Sequence, residues 1–229
     1  MQKTKVMHIG GETEPNIQIN NTILENVEDF KYLGSIKTVD ASCTKDIRTR
    51  IAMAKKRMIQ LNNMWKERGI PKVLKVKILK ALIWPVVLYG SEAWTLRKTD
   101  ESHINAAEMW FYRRLLRVSY TEKRTNESIL KELNTEPQLL HTITKRKMRY
   151  LGHTVRNKRC DLMKTVLQGK MEGKRKRGRP STSYMDNMTK KTAQTAASIY
   201  RQCVDRDEWR GLIRTSTLSA TVTNDDADR

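Results

Sequence analysis

The sequence predicts a mainly α-helical protein with a small β-sheet at its N-terminus and a basic, partly disordered C-terminal region. Apolar residues recur at helical spacing from Cys43 onward. Short β-like patches are confined to roughly the first 36 residues, where Asn and Gly pairs mark turns. The last third is rich in Lys and Arg and contains a Gly- and Pro-bearing basic run.

Composition and charge indicate which kind of partner and which cell compartment to expect. The chain has 229 residues, of which 38% are apolar and 31% charged, and its formal net charge is +20. Such a surplus predicts a polyanionic partner, nucleic acid before an acidic membrane. Cys43, Cys160 and Cys203 are too far apart to suggest a disulfide framework or a paired metal site. With no signal-peptide-like or spanning segment, we expect an intracellular protein, nuclear if the basic run acts as a targeting signal.

The N-terminal patches predict three short strand regions. Val6 to Ile9 is the first, and Ile17 and Ile19 alternate before Asn20-Asn21, which suits a hairpin turn returning along Thr22 to Leu24. Phe30 to Ser35 places aromatic and aliphatic residues around Gly34, as where another backbone approaches closely. Three short strands do not stand alone, so we expect the rest of their sheet to lie upstream.

A helix is predicted at the centre of the chain, in the apolar run Val73 to Trp94. It should begin near Pro71 and carry a buried face, with Pro85 kinking or ending it. The predicted buried face comprises Leu74, Ile78, Leu82 and Val86, flanked by Leu79 and Ile83.

Further helices are predicted on both sides of the central run. One follows Ser42 or Thr44 as its cap and buries a line of residues ending at Trp65, and another starts near Thr99. A shorter helix capped by Thr125 or Asn126 runs to Leu133. The first helix should bury Ile47, Ile51, Ala54, Met58 and Leu61, and the one near Thr99 should bury Ile104, Ala107, Phe111 and Leu115.

Two basic stretches dominate the last third. A helix opened by Glu136-Pro137 and stopped by Gly152 carries the first of them. Seven cations and no acid lie between residues 145 and 159: Lys145, Arg146, Lys147, Arg149, Arg156, Lys158 and Arg159. The second is KMEGKRKRGRP over residues 170–180, which can follow a phosphate backbone. Its Arg-Gly-Arg-Pro core is also compatible with a hook in the minor groove of A·T-rich DNA or with nuclear targeting.

The order of several short motifs resembles the C-terminal part of reverse transcriptases from non-LTR retrotransposons. The matching residues are Lys3 to Met7, Phe30 to Gly34, Trp84-Pro85, Leu88 to Trp94, Lys145-Arg146, Leu151 to His153, Gly173 to Pro180, Asp205-Arg206 and Trp209-Arg210. From the first motif to the last, the resemblance spans roughly 200 residues of the chain. One departure is Tyr184, which stands where the family more usually has Trp.

By this resemblance, Lys3 to Ile9 ends the palm, Phe30 to Ser35 forms the primer-grip turn, and the helices from Thr44 to Val118 form the thumb. The thumb would hold the RNA and DNA template–primer duplex through shape and phosphate contacts. The residues expected to contact nucleic acid are Tyr32, Leu33, Gly34, Arg48, Lys55, Lys56, Lys145, Arg146, Lys147, Arg149, Lys174, Arg175, Lys176, Arg177 and Arg179.

No catalytic, cofactor or metal site is predicted in this chain. The full polymerases use two Mg²⁺ ions held by carboxylates that include an adjacent Asp pair. Here the only adjacent pair is Asp225-Asp226, in a polar tail. The separations of His141, His153 and Cys160 match no standard ligand spacing, and no small-molecule substrate is evident.

We therefore expect a non-catalytic fragment of a retrotransposon RNA-directed DNA polymerase that retains template–primer-binding surfaces. The alternative is an independent chromatin-binding, nucleic-acid-binding or interaction protein domesticated from such an element. The predicted segments are a palm end (1–40), a thumb-like domain (41–135), a basic helical segment (136–168), a flexible basic run (169–183), a C-terminal helix (184–215) and a disordered tail (216–229).

Overall fold

The computed structural model describes residues 4–9, 16–157, 159, 161–168 and 182–218. They are mainly helical, with a few short strands, as the sequence predicted. The chain divides into two compact units. Unit 1 comprises residues 1–90 and 114–118, and unit 2 comprises residues 91–113 and 119–229.

Unit 1 begins with short strands. They are β1 (Lys5–Val6), β2 (Gln18–Ile19), β3 (Thr22–Ile23), β4 (Glu25–Asn26), β5 (Asp29–Tyr32) and β6 (Ser35–Thr38). Within the described residues they form three two-stranded sheets: β1 with β4 in parallel, and β2 with β3 and β5 with β6 antiparallel. Asn20 and Asn21 have φ of 50° and 59°, which confirms the predicted Asn-Asn hairpin turn.

Four helices follow in unit 1. They are α1 (Thr44–Gln60), α2 (Asn62–Lys66), α3 (Lys72–Leu82) and α4 (Trp84–Val87). The predicted line Ile47, Ile51, Ala54 and Met58 is buried, although the helix is interrupted at Leu61. Cys43 occupies the N-cap position of α1 and makes no side-chain capping hydrogen bond, whereas the Ser42 hydroxyl accepts a hydrogen bond from the Thr44 backbone N–H at 3.2 Å.

The buried face of α3 agrees with the predicted one only in part, because Leu79 and Ile83 are buried as predicted but two other predicted residues are not. Leu74 and Leu82 are 46% and 42% exposed, whereas Val76, Leu79 and Ile83 are buried. Apolar residues lie on more than one side of α3, so helical periodicity alone did not select the face that packs. Pro85 lies in the first turn of α4, and α3 ends before it, as predicted.

Unit 2 contains α5 (Lys98–Leu116, whose last residues belong to unit 1), α6 (Asn126–Leu133), α7 (Leu139–Arg156), α8 (Asp161–Gln168), α9 (Tyr184–Thr192), α10 (Ala196–Val204) and α11 (Arg206–Leu218). The predicted inward line of α5 is buried, and Thr125 caps α6 by accepting a hydrogen bond from the Ser128 backbone N–H at 3.2 Å. Short 3₁₀ turns lie at Ser91–Ala93 and Tyr120–Glu122.

A buried carboxylate closes the start of α7. Glu108, on α5, accepts hydrogen bonds from the backbone N–H groups of Gln138 at 2.8 Å and Leu139 at 3.0 Å. The Tyr112 hydroxyl donates to the same carboxylate at 2.8 Å, and burial raises the pKa of Tyr112 well above its usual range. Glu108 thereby supplies acceptors that the first turn of α7 lacks within the helix.

The predicted single C-terminal helix over 184–215 is three helices. Ala193 adopts a left-handed conformation after α9, and the Thr195 hydroxyl caps α10. The Asp205 carboxylate accepts hydrogen bonds from the Asp207 and Glu208 backbone N–H groups and so begins α11. With part of α7, these helices bury a core of Met148, Leu151, Met188, Ile199, Cys203, Trp209 and Ile213.

Gly152 does not end α7, contrary to the prediction. It is buried inside the helix, and a Cβ there would overlap the Trp209 indole. The Trp209 indole N–H donates to the Met148 carbonyl at 3.0 Å, so the ring lies against this part of the helix backbone. The glycine therefore provides space for a neighbouring helix.

Candidate nucleic-acid interface

The turn between β5 and β6 presents two apolar side chains to solvent. Leu33 and Gly34 both have positive φ, 47° and 82°, as a two-residue type I′ hairpin requires. Tyr32 is 59% exposed and Leu33 is 76% exposed. The predicted turn at Gly34 is present, and the side chains beside it face outward.

Arg50, on α1, binds the backbone of this turn. Its guanidinium donates a hydrogen bond to the Gly34 carbonyl and lies over the Tyr89 ring, 4.3 Å from the ring centroid. The Tyr89 hydroxyl donates to the Leu33 carbonyl at 3.0 Å. Both carbonyls of the turn are therefore bound by side chains from elsewhere in unit 1.

A carboxylate completes the attachment of the hairpin to α1. Asp46 accepts a hydrogen bond from the Ile36 backbone N–H at 3.0 Å and lies 4.0 Å from the Arg50 guanidinium. Asp46 and Arg50 are both buried. Because a buried charge is costly without a partner, this pair and its backbone contacts fix the hairpin on the helix. The turn consequently projects from a rigid base.

The outward face of α1 is cationic. Arg48 is exposed on this face, and two turns later come the adjacent Lys55, which is half-buried, and Lys56, which is exposed, with the small residue Ala52 between. Lys45, at the start of the face, is 2.7 Å from Asp29. The only acid in α1 is Asp46, which is on the buried side. This face can meet a row of phosphates without an opposing carboxylate of its own helix.

In unit 2, the predicted cations of α7 separate into two groups. Arg146 and Arg149 are exposed and Lys145 is half-buried. Lys147 is 1% exposed, so its assignment to a nucleic-acid surface was wrong. Its ammonium donates to the Asn187 side-chain oxygen at 2.9 Å and lies 4.6 Å from the centroid of the Tyr184 ring.

Tyr184, the residue that departs from the pattern of the family that the chain resembles, contacts Lys147 inside unit 2. Its hydroxyl donates to the carbonyls of Glu92 at 3.1 Å and Lys147 at 3.3 Å. Burial raises the pKa of Tyr184 well above its usual range. Lys147 and Tyr184 therefore contribute to the internal packing of unit 2.

Several predicted residues lie outside the described part of the chain. They are Lys174, Arg175, Lys176, Arg177 and Arg179 of the basic run, Lys158, Cys160 and the Asp225-Asp226 pair. Among the described residues, no group of three or more His, Cys, Asp or Glu side chains could hold a metal ion. Nor does any helix of the described ranges have the length and apolar character needed to span a membrane.

Sequence reasoning missed the role of Arg50 and the position of Tyr89. One signal was available for Arg50, which interrupts the apolar line of α1 between Ile47 and Ile51. A cation within a buried stripe indicates a specific acceptor, because an unpaired buried charge is strongly unfavourable. No such local signal existed for Tyr89, whose partner Leu33 lies 56 residues earlier.

Comparison with known proteins bears on the origin of the chain. It is similar to a transposon-derived protein of Caenorhabditis elegans, 24% identical over 213 residues that cover 88% of this chain and 75% of the relative. No protein-family model matches the sequence. No solved structure matches it either. The relationship extends across both units and supports a transposon-related origin of the chain.

Proposed function

We propose that the chain is the thumb-like part of a non-LTR retrotransposon reverse transcriptase and grips an RNA–DNA template–primer duplex without catalysing synthesis itself. The proposal combines the transposon-derived relative with the motif resemblance and the geometry of unit 1. Under this proposal, the exposed Leu33-Gly34 turn contacts one strand and the outward face of α1 contacts phosphates.

One observation carries the proposal. Two of the segments that carry the resemblance, Phe30 to Gly34 and Leu88 to Trp94, meet through the hydrogen bond from Tyr89 to Leu33. An apolar tip held on a rigid base suits contact with the sugar and base edges of a strand. A mobile tip would have to pay an ordering cost on binding.

The cations of α1 supply the second part of the grip. Arg48, Lys55 and Lys56 follow one side of the helix, and phosphate contacts of this kind position a duplex without reading its sequence. We therefore assign non-sequence-specific binding to this surface. The two Mg²⁺ ions of the family's polymerases have no matching carboxylate group among the described residues, and no step through them is assigned to this chain.

The test compares two triple variants of the full chain, each lacking three positive charges. In the first, Arg48, Lys55 and Lys56 are each replaced by Gln. In the matched control, Gln replaces Lys98, Lys123 and Lys131, which are exposed in unit 2. Affinity for a fluorescent RNA–DNA duplex is measured by anisotropy over a range of salt concentrations.

We expect the α1 variant to lower the slope of log affinity against log salt by roughly 0.9 for each phosphate that it no longer neutralises, calibrated on B-form DNA. The control variant should change the slope much less, although it removes the same charge. Equal effects of the two variants would mean that only net charge matters, and the proposed interface on α1 would be wrong.

A further inference from the structure

The outward face of α7 in unit 2 is a second cationic surface. We define the α7 ridge as Lys145, Arg146, Arg149 and His153, of which all but the half-buried Lys145 are exposed. Residues 139–156 contain no Asp or Glu. The ridge thus has no carboxylate on its own helix to offset its charge.

The spacing of the ridge suits a polymer of phosphates. At a rise of about 1.5 Å per residue, Arg146 to His153 extends roughly 10 Å along the helix. That length corresponds to about three nucleotides at the roughly 3.4 Å rise of one DNA strand. Arg146, Arg149 and His153, at steps of three and four, lie on one side of the helix.

A second helix adds positive charge at one end of the ridge. His141, half-buried on α7, has its pKa lowered by burial and further by the positive charges of Lys145 and Lys191. Lys191 belongs to α9 and has Glu101 at 3.7 Å as a partial counter-charge. Cations therefore accumulate here from two elements, although like charges repel in the free protein.

The packing of α7 fixes the direction in which the ridge faces. On the buried side, Gly152 packs against Trp209, and Lys147 binds Asn187. At the C-terminal end, the Arg156 guanidinium donates to the Cys203 carbonyl at 2.6 Å. Of the other Lys and Arg residues of α7, Arg146 and Arg149 are exposed and Lys145 is half-buried.

We propose that the α7 ridge is a second binding surface for the sugar-phosphate backbone of nucleic acid, separate from the face of α1. It rests on the proposed function and extends it to unit 2. We expect this binding to be independent of sequence, because contacts between cations and phosphates carry no information about the bases.

The experiment uses the full chain with Lys145, Arg146 and Arg149 each replaced by Gln, and the same control triple of Lys98, Lys123 and Lys131. A short single-stranded RNA and an RNA–DNA duplex serve as separate probes. A fourth protein combines the α7 and α1 substitutions. Circular dichroism and thermal unfolding establish that each variant retains its helices. If the variant with Lys145, Arg146 and Arg149 replaced does not fold, the single variant Arg149→Glu takes its place.

We expect the α7 variant to lose affinity for at least one probe, with the salt slope reduced by roughly 0.7 per phosphate on the single strand or 0.9 on the duplex. The probe that responds identifies whether the ridge holds a strand or a duplex. An α7 variant that behaves like the control triple with both probes overturns the inference. Weaker binding by the α7 variant with unchanged binding by the α1 variant would instead reject the proposed function of unit 1 and leave the ridge standing.

Discussion

The Tyr89 hydroxyl donates a hydrogen bond to the carbonyl of Leu33 at 3.0 Å, joining a residue just after α4 to the tip of the β5–β6 hairpin. Arg50 lies beneath both, binding the Gly34 carbonyl and the face of the Tyr89 ring. Since both carbonyls of the turn are engaged, the exposed Leu33 side chain projects from a fixed backbone.

Removing the Tyr89 hydroxyl tests the clamp that this residue forms on the turn. Tyr89→Phe keeps the ring over Arg50 but deletes the hydrogen bond to Leu33. We expect the free energy of unfolding to fall by about 0.5 kcal/mol, the low end for a hydrogen bond because Tyr89 is half-exposed, and duplex affinity to fall several-fold. Urea unfolding and anisotropy measure the two effects; unchanged duplex affinity would show that the clamp does not serve binding.

Leu33 is expected to lower the free energy of unfolding and to strengthen duplex binding. A Leu at φ 47° is strained, and Asn tolerates this conformation better, so Leu33→Asn should raise the unfolding free energy by about 1 kcal/mol. The same change removes the apolar tip and should weaken duplex binding, measured by anisotropy. Asn20→Leu, at the equivalent first position of the β2–β3 turn with φ 50°, is the matched control and should lower stability without affecting binding. Undiminished duplex binding by Leu33→Asn would mean that the tip does not touch the strand.

Two glycines in helices should respond oppositely to the same substitution. Gly152→Ala forces a methyl group into the Trp209 indole and should destabilise unit 2 by about 1–3 kcal/mol. Gly211→Ala meets nothing within 4 Å and should stabilise α11 by about 0.8 kcal/mol through helix propensity. Thermal unfolding distinguishes them, and equal shifts would contradict the packing of Trp209 against α7.

The cap of α11 should make stability depend on pH. Hydrogen bonds from the backbone N–H groups of Glu208 and Asp207 lower the pKa of the Asp205 carboxyl. A depressed carboxyl pKa contributes stability that is present above the unfolded-state value of about 3.9 and is lost as pH falls through the folded-state value. The unfolding free energy of Asp205→Asn should therefore lie below that of the parent at neutral pH and converge with it in acid. A constant difference across this range would count against the cap.

Neutralising the basic run tests a surface outside the described residues. Replacing Lys174, Arg175, Lys176, Arg177 and Arg179 by Gln should weaken binding to all sequences alike if the run contacts phosphates. Competition binding with A·T-rich and G·C-rich duplexes measures this. Selective loss on A·T-rich DNA would favour the minor-groove hook and, with it, the alternative of an independent chromatin-binding protein.

Local patterns in the sequence predicted much of the helical framework. The Asn20-Asn21 turn, the inward line of α5 and the Thr125 cap depend on neighbours within a few residues, and the structure confirms each. In all three cases the physical cause is short-range: positive φ, helical spacing, or a hydroxyl beside free backbone N–H groups.

The errors arose where distant packing decided the outcome. In α3, packing within unit 1 buries Val76, which was not predicted, and leaves the predicted Leu74 and Leu82 exposed. Gly152 was predicted to end α7 because its partner, Trp209, lies 57 residues later. Lys147 was predicted to face solvent because its acceptor on Asn187 is 40 residues away.

The candidate site was predicted only in part, for the same reason. The turn at Gly34 was expected from the motif resemblance, and the cations on α1 were expected from their positions off the apolar line of the helix. Their attachment depends on Arg50 and Tyr89, which come together only in the folded unit. A motif resemblance could point to both segments but not to the hydrogen bond between them.

The salt dependence of duplex binding by the full, unaltered chain tests the central claim most directly. Anisotropy with an RNA–DNA duplex should give an affinity that falls steeply and linearly on a log–log plot as salt increases, each phosphate contact contributing roughly 0.9 to the slope on the B-DNA scale. Duplexes of unrelated sequence should give the same line. An affinity independent of salt, or no binding at low salt, would contradict the proposal that this chain grips nucleic acid.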